Sequence, residues 1–343
     1  MKAATWYGPG KENLKIEDVR KPICNKNDII VNVKACYLGA MHVRAVKKGH
    51  PKLTPPVIGF EGRMISGEIV EVGESVYKLK KGMKVTVNPE VPCYKCYYCK
   101  IGEYAHCENP IKFQPGGFAE YVLIPEFLLE EVYPIPNSIS YEEAAYTETL
   151  ACCLYGVEKA NVKISDKVVV IGAGNVGLNF VQLLKIRGAT EIIVLDKYDE
   201  RLEIATKLGA TYTINVQKED PKDQIMKITA QRGADIVIEA VGSSMTYKQS
   251  FNFVRNGGTI IGFGGCPPNS EFLMDPNIIH YKSLKVLGSY HYYPELYSRA
   301  FETIIKKMVN LKPIITTHFP LTKIHDAIDC YGAPSVISIV IHP

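Results

Sequence analysis

Apolar and polar residues change rhythm once along the chain, near residue 160. Before that point they form short strand-like runs, "DIIVNVKA", "SGEIVEVG", "KVTVNP" and "FAEYVLIP", punctuated by Gly and Pro. Regular short strands with turn signals predict a β-rich, barrel-like domain over residues 1 to about 150. Beyond it lie six strand candidates, "KVVVIG", "EIIVLD", "TYTIN", "DIVIEAVG", "GTIIGFG" and "LKVLGS". Helix-length segments such as "NVGLNFVQLLKIRG" and "DERLEIATKLG" separate most of them. That alternation predicts a parallel doubly wound sheet, so the fold class is α/β with two domains. After about residue 290 a helical stretch, "ELYSRAFETIIKKMVN", precedes a short β tail. No internal repeat, low-complexity segment or long linker is present.

Composition fits two packed cores: 343 residues, 46% hydrophobic and 22% charged, are ordinary for a globular chain. The 40 Lys and Arg against 36 Asp and Glu leave a formal net charge of +4, scattered in short groups such as "LKKGMK". That excludes a dedicated nucleic-acid surface. The N-terminus "MKAATWYGPGK" has no apolar leader core, and no apolar run approaches the roughly 20 residues that span a bilayer. The expectation is a cytoplasmic protein with no membrane partner. Ten cysteines in such a chain suggest metal binding or free thiols rather than a disulfide framework.

Four of the ten crowd into "PCYKCYYCKIGEYAHC" as Cys93, Cys96, Cys99 and Cys107. Close pairs let thiolates converge on one ion while the loop supplies the fourth, which suits a tetrahedral zinc. An iron–sulfur cluster is the rival, but the bacterial cluster run has three residues before its last cysteine and a proline after it. Here seven residues intervene and Glu108 follows. Four thiolates fill zinc's coordination, so this site, one per chain, would be structural rather than catalytic.

"VVVIGAGNVGLNF" places Gly172, Gly174 and Gly177 directly after an apolar strand, with Asn175 and Val176 opening a helix. In this context the first glycine permits a tight turn, the second lets backbone approach a pyrophosphate, and the third lets helix and strand pack closely. The helix N-terminus offers free N–H groups to phosphate. Asp196 ends the next strand, 19 residues beyond Gly177, where a carboxylate accepts hydrogen bonds from an adenosine ribose and repels a 2′-phosphate. The expected cofactor is NAD(H).

The barrel-like half, the four-cysteine loop and the late nucleotide fingerprint, in that order, resemble the zinc-containing medium-chain alcohol and polyol dehydrogenases. So do "SGEIVEVGESVYKLKKGMKV", "GGFAEYVLIP", "ETLACCLYGVEKA" and "NIIHYKSLKVLGSY", the last two most like the polyol, cyclitol and threonine dehydrogenase branch. The resemblance covers nearly the whole chain. It implies a GroES-like domain of residues 1–150 and 290–343, a Rossmann NAD-binding domain of residues 151–289, a small-molecule substrate, and a homodimer or homotetramer. Arg201 matches a position where relatives contact the ribose; His291 and Tyr292 fall where polyol relatives place substrate-side residues.

Family members also carry a catalytic zinc that polarises the alcohol oxygen. Aligning "VNVKACYLGAMHVRAV" puts Gly39 at the ligating cysteine, Met41 at the proton-relay hydroxyl, His42 at an Asp that lies behind the ligands and Arg44 at the usual histidine. In "VIGFEGRMISGEIVEVG", Phe60 stands at the ligating histidine, followed by Glu61. Only Glu148, in "YTETLACC", matches the third ligand. A lone Glu cannot hold zinc against water, so the ordinary catalytic site is expected to be absent. A slipped strand bringing Cys36 closer, or a His42/Glu61/Glu148 site, would rebuild it. His42, Glu61 and Glu148 are the candidate catalytic residues, against the plainer readings of a loop histidine and of carboxylates paired with an arginine such as Arg63. Cys152 and Cys153 read as small buried hydrophobes, and Cys24, Cys266 and Cys330 form no pattern.

The leading expectation is an NAD(H)-dependent oxidoreductase interconverting a secondary alcohol, polyol- or cyclitol-like, with its ketone. The alternatives are a metal-independent reductase of a C=C bond conjugated to a carbonyl, and a non-catalytic cofactor-binding protein.

Overall fold

The computed structural model describes residues 1–50, 53–113 and 115–343. The chain divides into two compact units: Met1–Thr149, Tyr293–Lys307 and Ile315–Pro343 form the first, and Leu150–Tyr292 with Met308–Ile314 the second.

The first unit begins with β1 (Lys2–Trp6), β2 (Leu14–Asp18) and β3 (Ile29–Leu38). Helix α1 (Ala40–Lys48) follows, then β4 (Val57–Ile58), β5 (Ile65–Val72), β6 (Lys84–Val87) and β7 (Glu90–Val91). Helix α2 (Tyr97–Lys100) lies in the cysteine loop, before β8 (Ile111–Lys112), β9 (Tyr121–Ile124), β10 (Val132–Pro134), α3 (Tyr141–Ala145) and the start of α4 (Thr147–Ala160). Strand β3 is the organiser. It pairs antiparallel with β5, β9 and a C-terminal strand at once, so "IIVNVKACYL" is buried nearly throughout instead of alternating. Its core neighbours include Trp6, Leu14, Phe60, Ile65, Ile69 and Phe118.

The second unit carries β11 (Lys167–Ile171), α5 (Asn175–Arg187), β12 (Glu191–Asp196), α6 (Asp199–Leu208), β13 (Tyr212–Asn215) and α7 (Pro221–Ile228). Then come β14 (Ala234–Glu239), α8 (Ser244–Phe253), β15 (Val254–Gly262), α9 (Asn277–Lys282) and β16 (Lys285–Gly288). All six apolar runs marked in the sequence are strands of one parallel sheet in the order β13-β12-β11-β14-β15-β16. The order reverses between β11 and β14, which opens a crevice at the strands' carboxyl ends.

Helix α10 (Pro294–Ile305), β17 (Ile315–Pro320), α11 (Ile324–Cys330) and β18 (Ser338–His342) return to the first unit. Strand β18 lies between β3 and β17, antiparallel to the first and parallel to the second. Residues 308–314 instead belong to the second unit. The Gln182 side chain there accepts from the Asn310 N–H at 2.6 Å, and Leu311 and Ile314 are buried. No helix among the described residues is long and apolar enough to cross a membrane.

Candidate functional site

In the second unit the glycine turn between β11 and α5 has the geometry its sequence demands. Gly172 adopts φ +102°, a conformation that L side chains rarely take. A Cβ at Gly177 would stand 1.8 Å from the Gly172 carbonyl oxygen, so helix and turn touch backbone to backbone. A Cβ at Gly174 would meet no heavy atom within 4 Å, leaving that edge of the turn open at the helix N-terminus. Asn175 and Val176 form its first turn, where the Val176 N–H donates to Asn175 Oδ1 at 2.8 Å.

Asp196, at the end of β12, accepts the Ala173 N–H at 2.7 Å and the Tyr198 N–H at 3.0 Å. Its carboxylate is thereby fixed beside the glycine turn, with further lone pairs for other donors. The Arg201 guanidinium sits over the Tyr198 ring, 5.0 Å from its centroid. This cradle has the shape and charge to take a dinucleotide. Sequence reasoning missed Glu239, which is fully buried and ends β14 at the same carboxyl-terminal end of the sheet as Asp196. Burial raises its pKa; the N–H groups of Gly242 and Val241 and the Thr246 hydroxyl, all bonded to its carboxylate, act in opposition. An acid closing the otherwise apolar run "IVIE" was the available signal. Cys152 Sγ and a ring nitrogen of His291, also in this unit, lie within 4.8 Å of one another.

In the first unit Cys93, Cys96, Cys99 and Cys107 gather their sulfurs within 4.8 Å, including Cys96–Cys99 at 3.5 Å and Cys93–Cys99 at 4.0 Å. Tetrahedral zinc with Zn–S bonds of about 2.3 Å needs sulfurs about 3.8 Å apart, so the loop fits the ion. Backbone N–H groups prepare the thiolates. The Cys96 N–H donates to Cys93 Sγ at 3.4 Å and the Cys93 N–H to Cys107 Sγ at 3.2 Å. Donors from Lys95 and Cys96 hold the Cys93 thiol down to about 6, while burial pushes Cys99 up to about 12.

The three catalytic candidates have separate surroundings, and among the described residues they do not gather as a metal-ligand group. His42, in the first turn of α1, is 3% exposed and lies edge-on to Phe118 and Phe60, at 4.9 and 5.5 Å. The Gly39 N–H donates to its Nδ1 at 3.1 Å, so the neutral ring carries its proton on Nε2, 3.4 Å from the Glu61 carbonyl. Burial, aided by Arg63 and opposed by Glu61, lowers its pKa to about 4. His42 is therefore a neutral core imidazole, not the solvated loop group that is the plainer sequence reading.

Glu61 sits in a turn where it and Phe60 both take positive φ, +50° and +38°. Its carboxylate faces Arg63 at 3.1 Å and Lys112 at 3.8 Å, and the same two cations meet Glu90 at 3.5 and 3.4 Å. Burial opposes the Arg63 charge, but Glu90, Glu61 and Glu148 together raise its pKa above the ordinary value. A cavity of about 500 Å³ opens beside this network, lined by Arg20, Glu61, Arg63, Lys112, Phe113 and Pro115 among others. Glu148 lies in the first turn of α4.

The positions of the missing ligands do not refit zinc. Gly39 has no side chain, and Phe60 is fully buried and stacks on Trp6 at 5.8 Å. Cys36 does not replace them. Strand β3 has register shifts, but Cys36 remains fully buried in the core, and burial raises its thiol pKa well above the usual value.

Comparisons with known proteins match this arrangement in both units. The family described as "Alcohol dehydrogenase GroES-like domain" matches residues 25–137, and "Zinc-binding dehydrogenase" matches residues 175–310. A sorbitol dehydrogenase of Bacillus subtilis is 30% identical over 338 residues, which cover 96% of this chain and 93% of that protein. A D-arabitol-phosphate dehydrogenase of Enterococcus avium is 29% identical, covering 99% and 97%. Among solved structures, a zinc-binding dehydrogenase of Sinorhizobium meliloti bound to NADP superposes with a TM-score of 0.90 at 29% identity, covering 100% of this chain and 99% of that one. Likeness at that identity and coverage means that the chain belongs to the zinc-type medium-chain alcohol and polyol dehydrogenase family and is an oxidoreductase of that kind.

Proposed function

We propose that this oxidoreductase transfers a hydride between NAD(H) and the carbinol carbon of a secondary alcohol of the polyol or cyclitol class. The supporting observation is the cradle formed by the glycine turn, the N-terminus of α5 and the Asp196 carboxylate. Bound there, the nicotinamide supplies the hydride chemistry. Asp196 accepts hydrogen bonds from the adenosine ribose and repels a 2′-phosphate, so NAD(H) is preferred over NADP(H). The thiolates of Cys93, Cys96, Cys99 and Cys107 hold one zinc that fixes their loop and takes no part in hydride transfer.

The alcohol proton needs an acceptor. His42 does not supply one, because backbone groups engage both ring nitrogens and burial disfavours the imidazolium. Glu61 is neutralised by Arg63 and Lys112 and acts as a structural anion. Glu148 remains: a carboxylate in the first turn of α4, it accepts the proton as a general base. The test is NADH binding followed by turnover with a panel of polyols, cyclitols and their ketones, alongside Glu148→Gln. Turnover that falls at least a hundredfold in Glu148→Gln with NADH affinity retained supports the reading; an unchanged rate removes Glu148 from it. The loss of donors at Gly39 and Phe60 favours one other activity, metal-independent reduction of a conjugated C=C bond. NADH consumption with enones but not with ketones would establish that instead.

A further inference from the structure

We propose that Glu142, His318 and His342 form a three-ligand surface site for a divalent ion of the zinc class. The three residues come from separate elements of the first unit: α3, β17 and β18. Parallel pairing sets His318 opposite Val340 and Pro320 opposite His342, which makes the two histidines diagonal neighbours on one face of the ribbon. One ligand atom from each of the three lies within 4.8 Å of the others.

The tautomers suit a metal. His342 Nδ1 is 2.8 Å from the Lys34 carbonyl oxygen, so it carries the proton and donates it there. Its Nε2 therefore presents a lone pair, 3.2 Å from His318 Nδ1 and 4.0 Å from Glu142 Oε1. A metal-binding histidine characteristically anchors its second nitrogen on a backbone carbonyl in this way. Metal–nitrogen bonds of about 2.0–2.1 Å place tetrahedral donors about 3.3–3.4 Å apart, so the histidine nitrogens are already near ligand spacing. Without the ion the two rings, 5.5 Å apart between centroids, face each other nitrogen to nitrogen, so binding requires each to turn from its neighbour toward the ion and the carboxylate to close in. Two imidazoles and a carboxylate favour zinc over magnesium or calcium, which prefer all-oxygen shells. His318 is exposed, giving the ion a route in and leaving room for water in the remaining position. The bound ion ties α3 to the last two strands.

The experiment uses the full chain after a chelator wash that leaves the thiolate zinc in place. Zinc bound during equilibrium dialysis against Zn²⁺ is counted by elemental analysis for wild type, His318→Ala, His342→Ala and Glu142→Gln. Wild type should take up one more zinc per chain than either histidine variant. Each histidine loss should weaken that binding by more than the roughly 10–100-fold typical of losing an outer-shell partner. Added Zn²⁺ should raise the Tm of wild type and leave the histidine variants unmoved, provided that all share the same far-UV circular dichroism without the ion. Equal uptake by wild type and both histidine variants overturns the proposal, as does a wild type that takes up none.

Discussion

His42→Asn separates packing from protonation at the centre of the first unit. Asn retains an oxygen near the position of Nδ1, able to accept the Gly39 N–H, but loses the ring between Phe60 and Phe118. By analogy with large-to-small core replacements this costs about 2–3 kcal/mol at pH 8. The pH dependence runs the other way. The unfolded imidazole titrates at 6.5 and the native one at about 4, because burial, aided by Arg63 and opposed by the Glu61 carbonyl and carboxylate, disfavours the charged ring. Above pH 6.5 both states are neutral there and the wild type keeps its full advantage. As pH falls from 6.5 to 4 the unfolded chain takes up the proton first, and native stability is lost at about 1.4 kcal/mol per unit, about 3 kcal/mol in all. The variant lacks this loss. Urea unfolding of both proteins across that range should show a gap of about 2–3 kcal/mol at pH 8 closing to near zero by pH 4.5, while acid effects common to both cancel. A gap that stays constant with pH would mean that native His42 titrates normally, and the core-imidazole assignment would fall.

Three further outcomes follow from the same geometry. Asp196→Asn removes the charge beside the glycine turn, so the ratio of NADH to NADPH affinity, read by fluorescence titration, should drop by about tenfold or more, the size of one charge-assisted hydrogen bond. Cys107→Ser should lose one zinc per chain by elemental analysis and lower the Tm; zinc retained at wild-type level would contradict the four-thiolate assignment. Arg63→Met leaves Glu61 and Glu90 sharing Lys112. Breaking a buried pair costs about 3–5 kcal/mol, and side-chain exposures of 29%, 22% and 12% reduce this to about 2 kcal/mol in urea unfolding, recovered when Glu61→Gln and Glu90→Gln are added.

What could be read in advance follows from how local each feature is. The six strands of the parallel sheet were legible because strands covered on both faces read as unbroken apolar runs, as "KVVVI" and "EIIVLD" do. The thiolate loop was legible because its ligands lie within sixteen positions of sequence. The two-residue strands β4, β7 and β8 were not, since a pair that short is defined by its partner rather than by its own residues. That residues 308–314 group with the second unit is not legible locally, because their anchor, Gln182, is more than a hundred positions away. The closeness of His318 and His342 is hidden for the same reason: only strand pairing through β17 and β18 brings them together.

The departures at Gly39, His42 and Phe60 were visible as departures, but their meaning lay in packing. A phenyl at position 60 places an apolar, fully buried group beside position 42, where a charged side chain would be left desolvated. A neutral histidine with one nitrogen accepting from Gly39 and the other directed at Glu61 satisfies its polar atoms without a charge. The cost of the arrangement appears in the backbone, where Phe60 and Glu61 both hold positive φ. That turn is clamped from across the unit: the Gly116 N–H donates to the Ile58 carbonyl at 3.1 Å, Gly117 to Gly62 at 2.8 Å and Phe118 to Gly59 at 3.1 Å. The clamp turns Phe60 into the core and leaves the Glu61 carboxylate on Arg63 and Lys112. The segment that carries a zinc ligand in relatives is thus, in this chain, a rigid apolar corner with an ion network on its outer side, and no single residue of it reveals that without the others.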